Sequence, residues 1–494
     1  MPEGPTPENA TTGAAAPALR NRPADAALLP SLAPLLCAWL PRQRWFAGKD
    51  RPISGLSLLS ATELLPCPEA GATAGTFPGL LHLLVRAEQP GPDPGRPEDA
   101  DCYQLLLGVR PVLPPHLAPA LIGRPSDGPL RGLTVYEALQ DPRPAGLLLE
   151  RLRIPGRTGP LRFVRRPSTS IPSRPAPRPL TAEQSNSSVI YGDSHILKVF
   201  RRVGPGTNPE LELPLALARA GCDRVPHPTA WFETGTGAGT VTLGILQPFL
   251  SHSADGWQLA LDSLATRTPF TGAAHALGRA TAEVHTALAA ALPVSMLRGP
   301  QTEVIARGMK ARLDAAAALV PALAPYRTGL HAAFDAFASL GRRGRTWAAQ
   351  RMHGDLHLGQ TLRSTTDGRW SIIDFEGEPA RPIGERRRLH PVARDIAGML
   401  RSFDYAARTH APGEEEWPQE WARRGREAYC DGYAEAAGTD PRDEPELLRA
   451  YETDKAVYEV VYEARHRPDR LPVPLAAVRR IAAGAPDVRP APRP

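Results

Sequence analysis

The 494-residue sequence predicts an α+β protein of two lobes, and three features of its patterning carry that prediction. Strand-like apolar runs dominate up to about residue 250 and Ala/Leu-rich helical spacing dominates after about 255, the order expected when a sheet-based lobe precedes a helical one. A hairpin pattern between Ser188 and Arg201 leads directly into a helix start at Asn208. A short strand-like segment, 351–378, interrupts the helical half and concentrates His, Asp and Gln side chains.

Taken in order, residues 1–24 are rich in Pro, Ala, Thr and Gly without apolar periodicity and are expected to be disordered, as is the tail 486–494. Leucines at 28, 29, 32, 35, 36 and 40 follow helical spacing, so Ala26–Leu40 is expected to form an amphipathic helix rather than a signal peptide. Leu80–Val85 and Tyr103–Val109 read as antiparallel strands packed on that helix, giving a small N-terminal domain over 25–115. An intermediate region and sheet lobe are expected over 116–250, with Ser168–Pro179 as an exposed Pro/Ser/Arg loop. In the hairpin, Gly192-Asp193 makes the turn and Ile196–Phe200 the second strand. Asn208 suits an N-cap, Pro209 the first helical position and Gly221 the helix end. The remainder, 251–485, is the helical lobe.

Composition narrows the class. The 42% hydrophobic and 22% charged residues are those of a globular protein, and the 56 prolines cluster in loops. The net charge of +6 is spread along the chain without an aromatic stripe, which argues against a nucleic-acid partner. No apolar run reaches membrane-spanning length. Five scattered cysteines without a Cys-x-x-Cys argue against disulfides and zinc and fit a reducing cytoplasm. Only four of the 58 basic residues are lysines, Lys49, Lys198, Lys310 and Lys455, so a retained lysine hints at a need for a compact ammonium.

The chemistry concentrates in His353-Gly354-Asp355-Leu356-His357-Leu358-Gly359-Gln360 and, one apolar strand later, Ile372-Ile373-Asp374-Phe375-Glu376-Gly377. Phosphoryl transfer to a hydroxyl needs one carboxylate to hold the attacking hydroxyl and accept its proton, and another to hold Mg²⁺. Asp355 and Asp374 suit those roles, with Gln360 as a neutral oxygen ligand. His353 and His357 are four apart, but two glycines and a following strand make a helical zinc site a poor reading. Lys198, inside its apolar strand, is the candidate for the α- and β-phosphates. Glu210 and Glu212 both qualify as its partner, and Glu212 is preferred because it lies within the helix. The polar run Ser185-Asn186-Ser187-Ser188 stands where a phosphate-covering loop belongs. Lys455, Tyr458 and Tyr462 share one helix face, and aromatic rings beside polar donors suit a sugar.

These motifs resemble the maltokinases, a branch of the aminoglycoside-phosphotransferase-like kinases. The resemblance also rests on Arg44-Trp45-Phe46-Ala47-Gly48-Lys49, Asn208–Glu212, Arg394–Phe403 and Asp454–Pro468. It implies a protein-kinase-like bilobal fold with an N-terminal cap subdomain, and ATP-dependent conversion of maltose to maltose 1-phosphate for α-glucan synthesis. By the same resemblance Asp355, assisted by His353, is the catalytic base, and Gln360 and Asp374 hold Mg²⁺. Gln247, Phe249 and Leu250 belong to a hinge that meets adenine. Lys455, Tyr458, Tyr462, His357 and Glu376 contact the acceptor. It further implies association with a separate trehalose synthase as the maltose source. Alternatives are an acceptor such as an aminoglycoside or choline, and a non-catalytic kinase-like scaffold.

Overall fold

The computed structural model describes residues 23–49, 51–69, 71–73, 76–90, 99–180, 185–236, 239–378, 381, 383–411 and 416–484. The chain forms two compact units, Met1–Pro144 and Ala145–Pro494. The ends expected to be disordered lie outside the described residues, except that Pro23 and Ala24 already open the first helix.

The first unit packs helix α1 (Pro23–Trp39) on an antiparallel sheet. Its strands are β1 (Gly55–Leu65), β2 (Gly79–Gln89), β3 (Asp99–Arg110), β4 (Leu121–Gly123) and β5 (Thr134–Glu137), in the order β1-β2-β3-β5-β4. Alternation puts Leu81, Leu83 and Val85 of β2 and Tyr103, Leu105 and Leu107 of β3 on one face, against Leu32 and Leu36 of α1. That burial holds a helix whose interior contains Pro30 and Pro34, each of which removes a backbone hydrogen bond. The Trp-Phe-Ala-Gly segment wraps Tyr103: Phe46 stacks on its ring at 5.0 Å, and the Ala47 N–H donates to its hydroxyl at 3.0 Å. Gly48, at φ 64°, then turns its carbonyl to the Gln89 amide at 2.8 Å.

The boundary expected at 115 falls instead at Pro144. The cause is a buried trio in which the Tyr136 hydroxyl and the Arg110 guanidinium both donate to Asp141 at 2.6 Å, tying 111–141 to the sheet.

Helix α2 (Pro142–Arg153) spans the division. The second unit then builds a seven-stranded antiparallel sheet from β6 (Gly156–Thr158), β7 (Leu161–Arg165), β8 (Pro177–Pro179), β9 (Asn186–Tyr191), β10 (His195–Phe200), β12 (Ala230–Thr236) and β13 (Gly239–Pro248), ordered β6-β7-β12-β13-β10-β9-β8. Between its strands lie β11 (Arg202–Val203) and helix α3 (Pro209–Arg219), whose Asn208 cap accepts from the Glu210 N–H at 2.9 Å.

After β13 come β14 (Ser253–Asp255), α4 (Gly256–Ala265), α5 (Thr271–Ala291), β15 (Ser295–Leu297), α6 (Gly299–Leu319), α7 (Arg327–Arg342) and β16 (Trp347–Ala349). Then follow β17 (Thr361–Ser364), β18 (Trp370–Ile372), α8 (Ile383–Arg386), α9 (Ala393–His410), α10 (Glu416–Ala437), α11 (Pro445–His466) and α12 (Pro472–Ala482). Helices α5 and α10 touch backbone to backbone: a Cβ on Gly278 would lie 2.0 Å from the Tyr429 carbonyl, and one on Gly432 would lie 1.9 Å from that of His275. The helical core runs from Leu277 and Phe337 through Phe403 and Tyr429 to Val460, and it supports the loop 350–360 and the small sheet β14-β17-β18.

Candidate active site

Lys198 stands on β10 opposite Ser188 of β9, and its ammonium donates to Glu210 Oε1 and to Asp374 Oδ1, each at 2.8 Å. Burial alone would pull its pKa down. Asp374, Glu210 and Glu376 outweigh that and hold it well above the ordinary lysine value. The preference for Glu212 as partner is therefore corrected to Glu210. Two residues of α-helix rotate a side chain by about 200°, so when Glu210 faces the strand Glu212 must face away. Glu212 instead accepts from Arg351 at 2.7 Å and Arg387 at 3.2 Å. Glu210 also accepts from the Phe375 N–H, which fixes the start of α3 to the segment after Asp374.

Asp374, two residues past the end of β18, lies in the left-handed region at φ 68°, a conformation worth roughly 1 kcal/mol of strain for a residue other than glycine. Its second oxygen accepts from the Gln360 amide at 3.0 Å. Burial pushes the Asp374 carboxyl up, but Lys198 outweighs it and the net shift is downward, so the group is anionic. Asp374 and Gln360 form a carboxylate–carboxamide pair, a donor set that fits Mg²⁺, which takes one or two protein oxygens and completes its shell with water and phosphate. Among the described residues no group of three or more His, Cys, Asp or Glu side chains could enclose a metal by itself.

Asp355 lies on the other side of the loop, its Oδ1 2.6 Å from the Lys455 ammonium of α11. Both ring nitrogens of His353 are engaged by the backbone of the two acidic segments. Its Nδ1 accepts from the Asp355 N–H at 3.2 Å and its Nε2 faces the Ile373 carbonyl at 2.8 Å, which places the ring proton on Nε2. The histidine thus braces both acidic segments, and Phe375 packs on its ring at 4.8 Å. His357 caps the next turn by accepting from the Gly359 N–H at 3.1 Å. Burial lowers its pKa to about 4.

The residues expected in the phosphate loop divide. Alternation along β9 puts Asn186 and Ser188 on the Lys198 face. Ser187 points to the opposite face and accepts from Arg201 at 2.8 Å, so its place in a phosphate loop is corrected. Ser185 is half-buried at the strand's start. Asn186 donates to Glu376, whose carboxyl is pushed up to about 8 by burial and by Asp374. Of the expected hinge, Gln247 stands next to last in β13, opposite Ile196, and the Phe249 N–H donates to the Ser194 carbonyl at 2.9 Å. Leu250 follows in the connection to β14.

Tyr458 lies under the Lys455 ammonium, 4.7 Å from nitrogen to ring centroid, and Tyr462 stacks on Tyr458 at 6.2 Å. Three features near Asp355 carry no role in the sequence reading. Asp395, at the start of α9, accepts from the His353 and Gly354 N–H groups at 2.9 and 2.8 Å and holds the loop like a clamp. Gly398, one turn on, lets α9 approach so closely that a Cβ would sit 2.5 Å from the Leu356 carbonyl. Glu378 lines the pocket beside Asp355 with Arg394, Tyr451, Asp454 and Lys455. Burial would raise its carboxyl, but Arg394, Lys455 and Arg381 hold it down to about 2. An acid at the N-terminal turn of a helix and the Gly377-Glu378 step were the available signals.

The comparisons with known proteins bear on this geometry. A model of the maltokinase N-terminal cap domain matches residues 39–141. A glucosamine kinase of Streptacidiphilus jiangxiensis is 31% identical over 326 residues, covering 60% of this chain and 71% of that protein. The chain belongs to the aminoglycoside-phosphotransferase-like kinase family. A second glucosamine kinase, from Mycolicibacterium smegmatis, is 30% identical over 323 residues, covering 61% of this chain and 78% of that one. Among solved structures, glucosamine kinase in one crystal form superposes with a TM-score of 0.64 at 22% identity over 91% of this chain and 99% of that chain. The same enzyme type in complex with glucosamine, ADP and inorganic phosphate gives 0.61 at 23% over 90% and 98%. The fold is accordingly that of this kinase family, with an N-terminal cap domain, and the protein is a kinase-type phosphotransferase. No helix among the described residues is long and apolar enough to cross a membrane.

Proposed function

We propose that this family member uses ATP to phosphorylate maltose at its anomeric hydroxyl, giving maltose 1-phosphate. The observation that carries the reading is the α11 face: Lys455 bonds the candidate base, and Tyr458 and Tyr462 continue from it as two stacked rings. From Lys455 to Tyr462 the helix rises about 10 Å, a length suited to two hexose rings rather than one. The matched cap domain supports the same reading.

In this reading the acceptor hydroxyl gives its proton to Asp355, while Lys455 holds that carboxylate and hydrogen-bonds the sugar. Lys198, set by Glu210, receives the α- and β-phosphates. Gln360 and Asp374 would hold Mg²⁺, which would neutralise triphosphate charge when bound. His353 keeps the two acidic segments at fixed separation, and Tyr458 and Tyr462 exclude water from the sugar's apolar face. Domain roles follow: cap over the first unit, nucleotide lobe over the seven-stranded sheet, acceptor site in the helical part. Maltose 1-phosphate would then supply α-glucan synthesis, with a separate trehalose synthase as the source of maltose.

A second reading has its own observation. Asp355, Glu378 and Asp454 line one small pocket, and an ionised Glu378 suits the ammonium of an amino sugar such as glucosamine, the substrate named for both curated relatives. Purified protein with ATP and Mg²⁺ against maltose, glucosamine, glucose, trehalose, kanamycin and choline separates the two. Maltose-dependent ADP release with phosphate on the reducing end supports the first reading, and turnover of glucosamine alone replaces it with the second.

A further inference from the structure

Asp395 of α9 clamps the loop that carries Asp355, and its carboxylate has no exposed side-chain surface. A buried anion persists only where hydrogen bonds or charge replace the water it has lost. Among the described residues no Lys or Arg is paired with it. Two of its donors are the loop N–H groups of His353 and Gly354 themselves. The third is His285 of α5, whose Nε2 lies 3.2 Å from Asp395 Oδ2. The His285 side chain is only 4% exposed, and its Nδ1 lies 3.0 Å from the Tyr433 hydroxyl of α10. Separately, the His285 carbonyl accepts from the Gln350 amide at 2.8 Å, three residues before His353, so one residue of α5 meets the loop segment twice.

We infer that His285 is a positioning residue for the phosphoryl transfer: by donating to Asp395 it keeps that carboxylate aimed at the His353 and Gly354 N–H groups, and so fixes Asp355 where the acceptor hydroxyl must meet it. The inference rests on the reading of Asp355 as the base and is independent of which sugar accepts.

Three observations support it. The first is how the Asp395 oxygens are shared: Oδ1 accepts from the Gly354 N–H, and Oδ2 accepts from the His353 N–H and faces His285 Nε2. An ionised carboxylate only accepts, so the ring proton sits on Nε2 and points at the oxygen that holds His353. The second is charge. Burial alone would push the Asp395 carboxyl up, and the His285 bond leads the influences that bring it below the usual range. A protonated Asp395 would turn a donor toward groups that are themselves donors, and the clamp would open. The third is proximity to the chemistry. His353, held by Asp395 through its N–H, accepts the Asp355 N–H on its ring at 3.2 Å, so a shift of the clamp passes to Asp355 through one residue. A leucine at 285 would fill this space without the cost of burying a polar ring, and the anion it faces is what gives the imidazole its use here.

The test uses the full chain, Mg²⁺-ATP and whichever sugar is turned over, at a temperature where circular dichroism shows each variant folded. His285→Leu removes the donor but keeps the carbonyl that holds Gln350. It is expected to lower kcat about tenfold to a hundredfold, the scale of a misplaced reacting group, while KM for ATP and for the sugar change less than about threefold. His285→Gln carries an amide as far out as Nε2, can still donate to Asp395, and is expected to recover most of that loss. A His285→Leu kcat within about threefold of wild type overturns the inference, and so does a glutamine variant as impaired as the leucine one. Should His285→Leu not fold, His285→Asn takes its place: its amide ends where Nδ1 stands, within reach of Tyr433 and short of Asp395. Equal kcat in the asparagine and glutamine variants then overturns the inference. In an Asp395→Asn background, His285→Leu should cost less than about threefold more, and losses that simply multiply would mean that His285 does not act through Asp395. Asp355→Asn is the control: if it is inactive while His285→Leu is fully active, the inference alone fails, whereas full activity in both removes the site reading beneath it.

Discussion

Two glutamates two residues apart on α3 do different work, and substitution separates them. Glu210 bonds Lys198 and the Phe375 N–H, whereas Glu212 bonds Arg351 and Arg387. Glu210→Gln removes the charge from a buried, charge-assisted contact of roughly 1.5–3 kcal/mol, so kcat/KM for ATP is expected to fall about tenfold to a hundredfold. Glu212→Gln is expected to affect that parameter less, and steady-state kinetics at varied ATP decide between them. Sequence made the pair visible but not the choice, because which helical residue faces the strand depends on the rotation at which α3 docks. Glu378 yields a prediction of its own. Its folded pKa lies near 2 against an ordinary 4.5, so its contribution to stability is fully present above about 4.5 and is lost as pH falls toward 2. Glu378→Gln should therefore show a shallower fall in unfolding temperature across that window than the wild type. An unchanged slope would mean that Arg394 and Lys455 do not hold the carboxylate.

Helix α9 governs the catalytic loop through close approach as much as through Asp395. In Gly398→Ala the new Cβ meets the Leu356 carbonyl, part of a loop that is itself pinned at His353 and Gly354, so either the helix or the loop must shift. Overpacking of this kind costs about 1–3 kcal/mol, and here the strain falls on the residue beside Asp355, so kcat should drop as well as stability. Gly432→Ala strains the α5–α10 crossing instead and should lower the unfolding temperature with kcat nearly unchanged. Equal kcat losses in the two variants would remove the special position of α9. On α11, Tyr458→Ala should raise KM for the sugar more than KM for ATP. Equal changes would assign the ring to packing. The helix face of Lys455, Tyr458 and Tyr462 was legible because seven residues are two turns, as was the hairpin before Asn208 with its cap. The Gly398 contact was not, since a glycine inside a helical pattern reveals nothing of the backbone it approaches.

Division of the chain into two units follows from which segments share a core, and sequence located this less well than it located single elements. The strands around Leu83 and Leu105 announce themselves by alternation, whereas 111–144 joins them through the Arg110–Tyr136–Asp141 trio, whose members lie up to 31 positions apart. A buried polar pair inside this first unit offers a way to follow its stability. His82 on β2 and Gln104 on β3 are fully buried side by side, with Nε2 and Oε1 2.8 Å apart, and burial lowers the histidine pKa to about 4 despite the Gln104 bond. The unfolded chain takes up a proton near pH 6.5 and the folded one only near 4. Stability contributed by the neutral ring is therefore complete above 6.5 and lost as pH falls through that interval, by up to about 3 kcal/mol for a shift of this size. Hydrogen exchange of the β2 and β3 amides, corrected for its intrinsic pH dependence, should show protection falling between pH 6.5 and 4. His82→Leu leaves the Gln104 amide without its histidine and should be less stable by a constant amount, but its protection should no longer slope in that window. If the slope survives the substitution, the acid sensitivity of the first unit comes from its carboxylates and not from the buried ring.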